Sequence, residues 1–162
     1  MSERDFAKLV REHDANLRAL AYRLLGDRDR MDDALQEAYL RAYRALPRFR
    51  GESALSTWLY RIAYNACLDE LRHTPQVVAL DSVRERADPR PGAAESVELA
   101  DALASLPPAD RAAVLLVDAQ GFDYRTAAEV LGVPEGTIAS RLNRARGHLR
   151  RVLDDLEGAS ER

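Results

Sequence analysis

The sequence predicts an all-α protein built as two small helical lobes joined by a flexible linker. Three observations carry this reading. Apolar residues recur at steps of three and four along most of the chain, the period of helices with one buried face. The one stretch that reads like a strand, QVVAL at 76–80, is too short and isolated to build a sheet. Between the two helical blocks lies TPQVVALDSVRERADPRPGAAES, residues 74–96, with three prolines and no lasting period, which is linker composition. The expected division is a lobe over 1–73, the linker over 74–96 and a second lobe over 97–155.

In the first lobe Phe6, Leu9 and Val10 mark one helix, and Leu17, Leu20, Ala21 and Leu24, closed by Gly26, mark another. A third helix over 29–46 presents Met31, Ala34, Leu35, Ala38 and Ala42 as its apolar stripe, and Pro47 ends it. After the loop RFRGES, a fourth helix over 54–73 buries Leu55, Leu59, Ile62 and Ala66. Its outward face collects Trp58, Arg61, Asn65, Asp69 and Arg72, so the only tryptophan of the chain stands among polar residues. Trp58 can close the edge of the core, or it can form with Phe49 an aromatic platform for unpaired bases. The two roles are compatible.

In the second lobe, a helix over 97–106 stops before Pro107 and Pro108, and another over 108–120 ends at Gly121. Asp123 then caps a short helix carrying Tyr124, Ala127, Ala128 and Leu131, and Gly132 supplies the left-handed residue that closes it. After the turn VPEG, the residues Ile138, Leu142, Ala145, Leu149 and Val152 form the apolar face of a last helix. Helix, tight turn, helix, with small Ala128 where the two must cross, is a helix-turn-helix, whose second helix enters a DNA major groove. A helical hairpin that uses the same turn for packing alone is the competing reading.

Charge sharpens the choice. The formal net charge of the 162 residues is -3, yet residues 141 to 151 hold five arginines and no acid. Thr137, Ser140, Arg141, Arg144, His148 and Arg151 fall opposite the apolar face. Arg41, Arg44, Arg48 and Arg50 likewise stand together with no acid between Glu37 and Glu52. A solvated face usually mixes signs to gain pairs one turn apart. Two local basic patches in a mildly acidic protein point to directed nucleic-acid contact. Asp32, Asp33, Gln36 and Glu37 gather on the third helix beside Tyr39 and Leu40. Acids favour the start of a helix, and next to exposed apolar side chains they also suit a protein-binding patch.

Other classes are excluded. No apolar run approaches the roughly 20 residues of a membrane span, and MSERDFAKL is too charged for a secretory signal, so a cytoplasmic protein without membrane insertion is expected. The single cysteine, Cys67, reads as a small core residue, and His13, His73 and His148 are scattered. With no phosphate loop, nucleophile set or ligand spacing, no metal, cofactor, small-molecule substrate or enzymatic activity is expected.

The motifs resemble a known family. DDALQEAYLRAYRALPRFRG followed by STWLYRIAYNACLDELR resembles region 2 of bacterial sigma factors, and LPPADRAAVLLVDAQGFDYRTAAEVLGVPEGTIASRLNRARGHLR resembles region 4. Two lobes without a region 3 or a long N-terminal extension resemble the extracytoplasmic-function (ECF) subfamily. The resemblance implies a sigma factor that binds core RNA polymerase and directs promoter-specific initiation. It implies that Asp32, Asp33, Gln36, Glu37, Tyr39 and Leu40 dock on the polymerase clamp. It assigns Arg44, Phe49, Arg50, Gly51, Ser53, Trp58, Arg61 and Asn65 to the minus-ten element, the 49–53 loop capturing a flipped base. Arg125, Glu135, Thr137, Ser140, Arg141, Arg144 and His148 go to the minus-thirty-five element. Thr126 and Ala127 stand where many members carry Glu and Ile. With the chain ending soon after Glu157, no regulatory lid is expected, and an anti-sigma factor is the implied regulator. The alternative is a helix-turn-helix regulator that does not join polymerase, which calls for a ligand pocket or dimer seam in the first 73 residues. An adaptor that binds another protein with both lobes is a third reading, and it leaves the arginine faces idle.

Overall fold

The computed structural model describes residues 2–73 and 93–161, and of 93–96 the backbone alone. QVVAL and the linker up to residue 92 lie outside the described residues. All regular structure among the described residues is helical.

Helix α1 (Glu3–Leu25) begins at a capping box between Ser2 and Asp5 and ends at Gly26, left-handed at φ 73°. It replaces the two helices expected before residue 26. The segment REHDAN between the two apolar clusters holds neither Gly nor Pro, so nothing breaks the helix and the stripe runs through it. Helix α2 (Arg28–Ala45) is capped by Asp27, whose carboxylate accepts from the amides of Asp29 and Arg30. A short 3₁₀ turn, Leu46–Arg48, carries Pro47 and passes the chain into the loop before α3 (Leu55–His73).

Helix α4 (Ala93–Ala104) starts four residues ahead of the expected 97. Helix α5 (Pro108–Val114) continues into a π turn, Leu115–Ala119. Asp123 caps α6 (Tyr124–Leu131) through the amide of Thr126 at 2.7 Å, and Gly132 closes it at φ 68°. Helix α7 (Glu135–Ser160) follows the turn. The helix-turn-helix therefore stands as its caps and glycine predict.

Leu17, Leu20, Leu24, Leu35 and Leu59 fill the core of the first three helices, and Leu116, Val130, Ile138 and Leu142 that of the last four. Each such leucine contributes about 1.5–3 kcal/mol by leaving water. The two cores are continuous, because α3 packs on α1 and α2 with one side and on α6 with another. Leu55 and Ile62 are consequently only half-buried, while Thr57, Tyr60 and Tyr64 are buried. The Tyr60 ring meets Phe122 at 4.9 Å between centroids. Polar bonds reinforce the junction. The Tyr60 hydroxyl donates to Oε1 of Gln120 at 2.7 Å, Nε2 of Gln120 donates to the Asn16 carbonyl at 2.8 Å, and Nη1 of Arg111 donates to the Leu24 carbonyl at 2.7 Å.

Candidate polymerase and promoter interfaces

Helix α2 turns its acidic face outward, but its members are not equivalent. Asp32 accepts from Arg18 of α1 at 2.8 Å. Glu37 accepts from Arg41, which also reaches Asp69 of α3 at 2.8 Å. Asp33 and Gln36 are exposed and take no such partner among the described residues. Tyr39, expected to be exposed, is half-buried, because its hydroxyl donates to Asp14 at 2.6 Å. Burial, aided by that bond, pushes the Tyr39 phenol well up. Burial also raises Asp14, but the bonds from Tyr39 and Arg18 outweigh it and hold the carboxyl below its ordinary value. The aromatic that does reach the surface is Tyr43, 47% exposed beside Leu40 at 44%. Its ring meets Phe6 edge-on at 5.6 Å and its hydroxyl donates to Glu3 at 2.9 Å. The spacing Gln36, Leu40, Tyr43 puts these three on one helical face, which is the signal that could have found Tyr43 in the sequence.

The second group surrounds the loop between α2 and α3. Phe49 and Trp58 form one aromatic unit, their rings 5.2 Å apart and tilted by 50°. Both are half-buried and line a cleft, and Trp58 also packs at the core margin. Gly51 has φ 75°, a left-handed turn that side-chain-bearing residues rarely adopt. Arg50 and Arg61 are exposed around this unit, Asn65 is exposed one turn beyond Arg61 on α3, Arg44 is exposed on α2, and Ser53 is half-buried.

The third group lies on the helix-turn-helix and is more divided than the sequence suggests. Ser140 and Arg144 are exposed at the start of α7. Arg144 is tied to the buried Asp110 of α5 at 3.1 Å. Arg141 is half-buried near Tyr64, where burial raises the Tyr64 phenol and Arg141 opposes the rise. Glu135 is exposed, Thr137 is half-buried, and Arg125 is exposed with Glu129 at 3.7 Å. His148 stands apart from this group, since its Nε2 lies 2.8 Å from the Ser105 hydroxyl and the end of α4 occupies its side of the helix. Arg146, outside the predicted set, binds Asp118 through two nitrogens at 2.7 and 3.0 Å.

The fold brings the second group against the margin of the third, where Arg125 and Glu135 stand. Arg48, Phe49, Arg50, Ser53, Trp58 and Arg61 face Arg125, Glu129, Gly132 and Glu135 across one cleft of about 830 Å³. No cluster of potential metal ligands occurs among the described residues, and no helix among them is long and apolar enough to cross a membrane. Cys67 is buried, and desolvation pushes its thiol up to about 12, so it is a core residue.

The two halves match separate family models, Sigma-70 region 2 over residues 9–74 and Sigma-70, region 4 over residues 96–149. The chain is 41% identical over 150 residues to the ECF RNA polymerase sigma factor SigM of Mycobacterium tuberculosis, covering 91% of this chain and 76% of that protein. It is 33% identical to the ECF RNA polymerase sigma-E factor of Escherichia coli, covering 89% and 84%. Among solved structures, the sigma factor RpoE in complex with the anti-sigma factor NepR from Bartonella quintana matches at 31% identity and a TM-score of 0.77, covering 93% of this chain and 97% of that one. CnrH in complex with the cytosolic domain of CnrY matches at 27% identity and a TM-score of 0.74, covering 95% and 90%. With both sigma regions in order and relatives aligned along nearly the whole chain, the protein belongs to the ECF sigma factors, which join RNA polymerase and direct transcription initiation from promoters.

Proposed function

We propose how the work of a sigma factor is divided among these residues. Residues 1–73 bind core polymerase and the minus-ten element, residues 97–155 bind the minus-thirty-five element, and the linker between them lets the two be reached together. Asp33, Gln36, Leu40 and Tyr43 offer a mixed acidic and apolar surface to a basic clamp. The exposed Asp32 and Glu37 extend that surface while paired to Arg18 and Arg41, and the half-buried Tyr39 supports it through Asp14. The observation that carries the minus-ten assignment is the Phe49 and Trp58 pair, a rigid aromatic surface ringed by arginines. An unpaired base stacks on such a surface, and the arginines meet the strand's phosphates. Asn65, exposed one turn beyond Arg61, engages the strand as it separates.

On α7, Thr137, Ser140, Arg141 and Arg144 supply base-edge and phosphate contacts, with Arg125 and Glu135 at the margin. His148 is a flank of this surface rather than its centre. As a sigma subunit the protein acts on the chromosome in the cytoplasm and performs no chemistry of its own. The complex of the related RpoE with NepR supports an anti-sigma factor as the regulator here too.

The test is reconstituted transcription with core polymerase on paired templates. Asn65→Ala should impair initiation on duplex promoters severalfold more than on a template melted in advance. Equal loss on both would remove Asn65 from strand capture.

A further inference from the structure

Tyr43 is exposed on α2, yet α1 holds it at two points. Its ring meets Phe6 edge-on, with centroids 5.6 Å apart and planes at 64°, and its hydroxyl donates to Oε1 of Glu3 at 2.9 Å. Phe6 is in turn half-buried against the core, so the contact ties a surface ring to a fixed one. Glu3 and Phe6 both lie in the first two turns of α1, whose start is set by a capping box: the Ser2 hydroxyl accepts from the Asp5 amide at 3.3 Å, and the Asp5 carboxylate accepts from the Ser2 amide at 2.9 Å. Fixing where the helix begins fixes the register of Glu3 and Phe6 against α2.

The surface that receives this brace is continuous. Asp33, Gln36, Leu40 and Tyr43 follow one another at steps of three and four, so they share one face of α2 over about 15 Å. Leu40, 44% exposed, and Tyr43, 47% exposed, are the most exposed large apolar side chains among the described residues. Asp33 ends this strip on one side, and Glu3, bonded to the Tyr43 hydroxyl, ends it on the other. An apolar strip between two acids suits a partner that presents apolar side chains flanked by basic ones. A partner that buries Tyr43 binds more tightly when the ring is already held, because ordering a loose side chain at an interface costs affinity.

We propose that Glu3 and Phe6 are positioning residues for polymerase docking: they hold Tyr43 in the orientation that core polymerase buries, so the first two turns of α1 belong to the docking surface together with α2. This rests on the assignment of Tyr43 to the polymerase above, and the experiment separates the two.

The test is a titration of labelled full-length protein with core polymerase, with helicity and melting measured on each variant. Tyr43→Ala should weaken binding about tenfold, the loss expected of an anchoring aromatic. Phe6→Leu, which keeps an apolar side chain against the core but removes the ring, should weaken it severalfold, and should add nothing once Tyr43→Ala is present. Glu3→Ala should also weaken binding severalfold, whereas Glu3→Gln keeps an oxygen to accept from Tyr43 and should restore most of the affinity.

Weaker binding by Tyr43→Ala with wild-type affinity in Phe6→Leu and Glu3→Ala would overturn the positioning role alone. Equal losses from Phe6→Leu with and without Tyr43, or a Glu3→Gln variant as weak as Glu3→Ala, would overturn it too, since α1 would then act through something other than the Tyr43 ring and its hydrogen bond. Wild-type affinity in Tyr43→Ala would instead remove Tyr43 from the polymerase interface, and the proposal with it. Should Phe6→Leu lose helicity, the comparison of Glu3→Ala with Glu3→Gln decides, because Glu3 is exposed and outside the core.

Discussion

Nη2 of Arg144 lies 3.1 Å from Oδ1 of Asp110, an exposed arginine held in place by a buried acid. The side chain is 68% exposed while that of Asp110 is 9% exposed, so the pair fixes the direction of a charge that still faces solvent. Arg144→Ala is expected to weaken promoter binding by the holoenzyme across sequences and to lower the salt slope by about one phosphate contact. It should also cost about 1–3 kcal/mol of stability, because Asp110 is left buried without its donor. Adding Asp110→Ala should recover part of the stability and none of the binding. Anisotropy titrations at several salt concentrations, with thermal melts, check both. A loss confined to one base position would contradict the phosphate role.

The acidic face of α2 makes a second prediction. Asp33→Lys disturbs no ion pair among the described residues, and adding Glu37→Lys removes only an exposed contact to Arg41. Stability should change by well under about 1 kcal/mol, and helicity should match wild type. Association with core polymerase should nevertheless be lost, because like charges at an interface can cost several kcal/mol and slow encounter as well. Undiminished polymerase affinity in a titration at moderate salt would remove α2 from the docking surface.

Gly132 tests the helix-turn-helix turn. At φ 68° an added Cβ meets nothing nearer than a terminal nitrogen of Arg61 at 3.7 Å. The effect of Gly132→Ala is therefore backbone strain rather than collision, about 1–2 kcal/mol for a left-handed alanine. A lower melting temperature with nearly unchanged helicity is expected. Wild-type stability would show that the turn adopts another conformation in solution.

Tyr39 and Asp14 make a prediction about acid. The folded Asp14 carboxyl lies below its ordinary value of 3.8. Its contribution is therefore present above that unfolded value and is lost as pH falls through the lower, folded one. Tyr39→Phe removes one of the bonds that depress it, which raises the folded value and shrinks the contribution. At neutral pH the variant should be less stable by under about 1 kcal/mol, given the partial exposure of the site. The difference from wild type should narrow as the pH drops below about 4. Urea midpoints across that range check it, and a difference constant with pH would separate Tyr39 from the ionisation of Asp14.

Local chemistry made much of this protein legible in its sequence. Asp123 and Gly132 bound α6 because a carboxylate caps free amides and glycine accepts a left-handed end. Ile138, Leu142 and Ala145 are buried because their spacing places them on one side of a helix. The sequence motifs of both sigma regions lie within such local blocks, so the family could be read before the fold. The tertiary structure decided how those blocks meet. Tyr60 and Gln120 are 60 positions apart, and a hydrogen bond between two polar side chains leaves no periodic trace. The burial of Tyr60 and Tyr64, the turning inward of Tyr39, the placing of Tyr43 at the surface and the π turn that aims Gln120 all depend on which surface each helix finds. Arginines that look equivalent along α7 differ for the same reason. Arg144 and Arg146 are anchored by acids of α5 and its π turn, since charge pairing is set by distance in space and not by order along the chain.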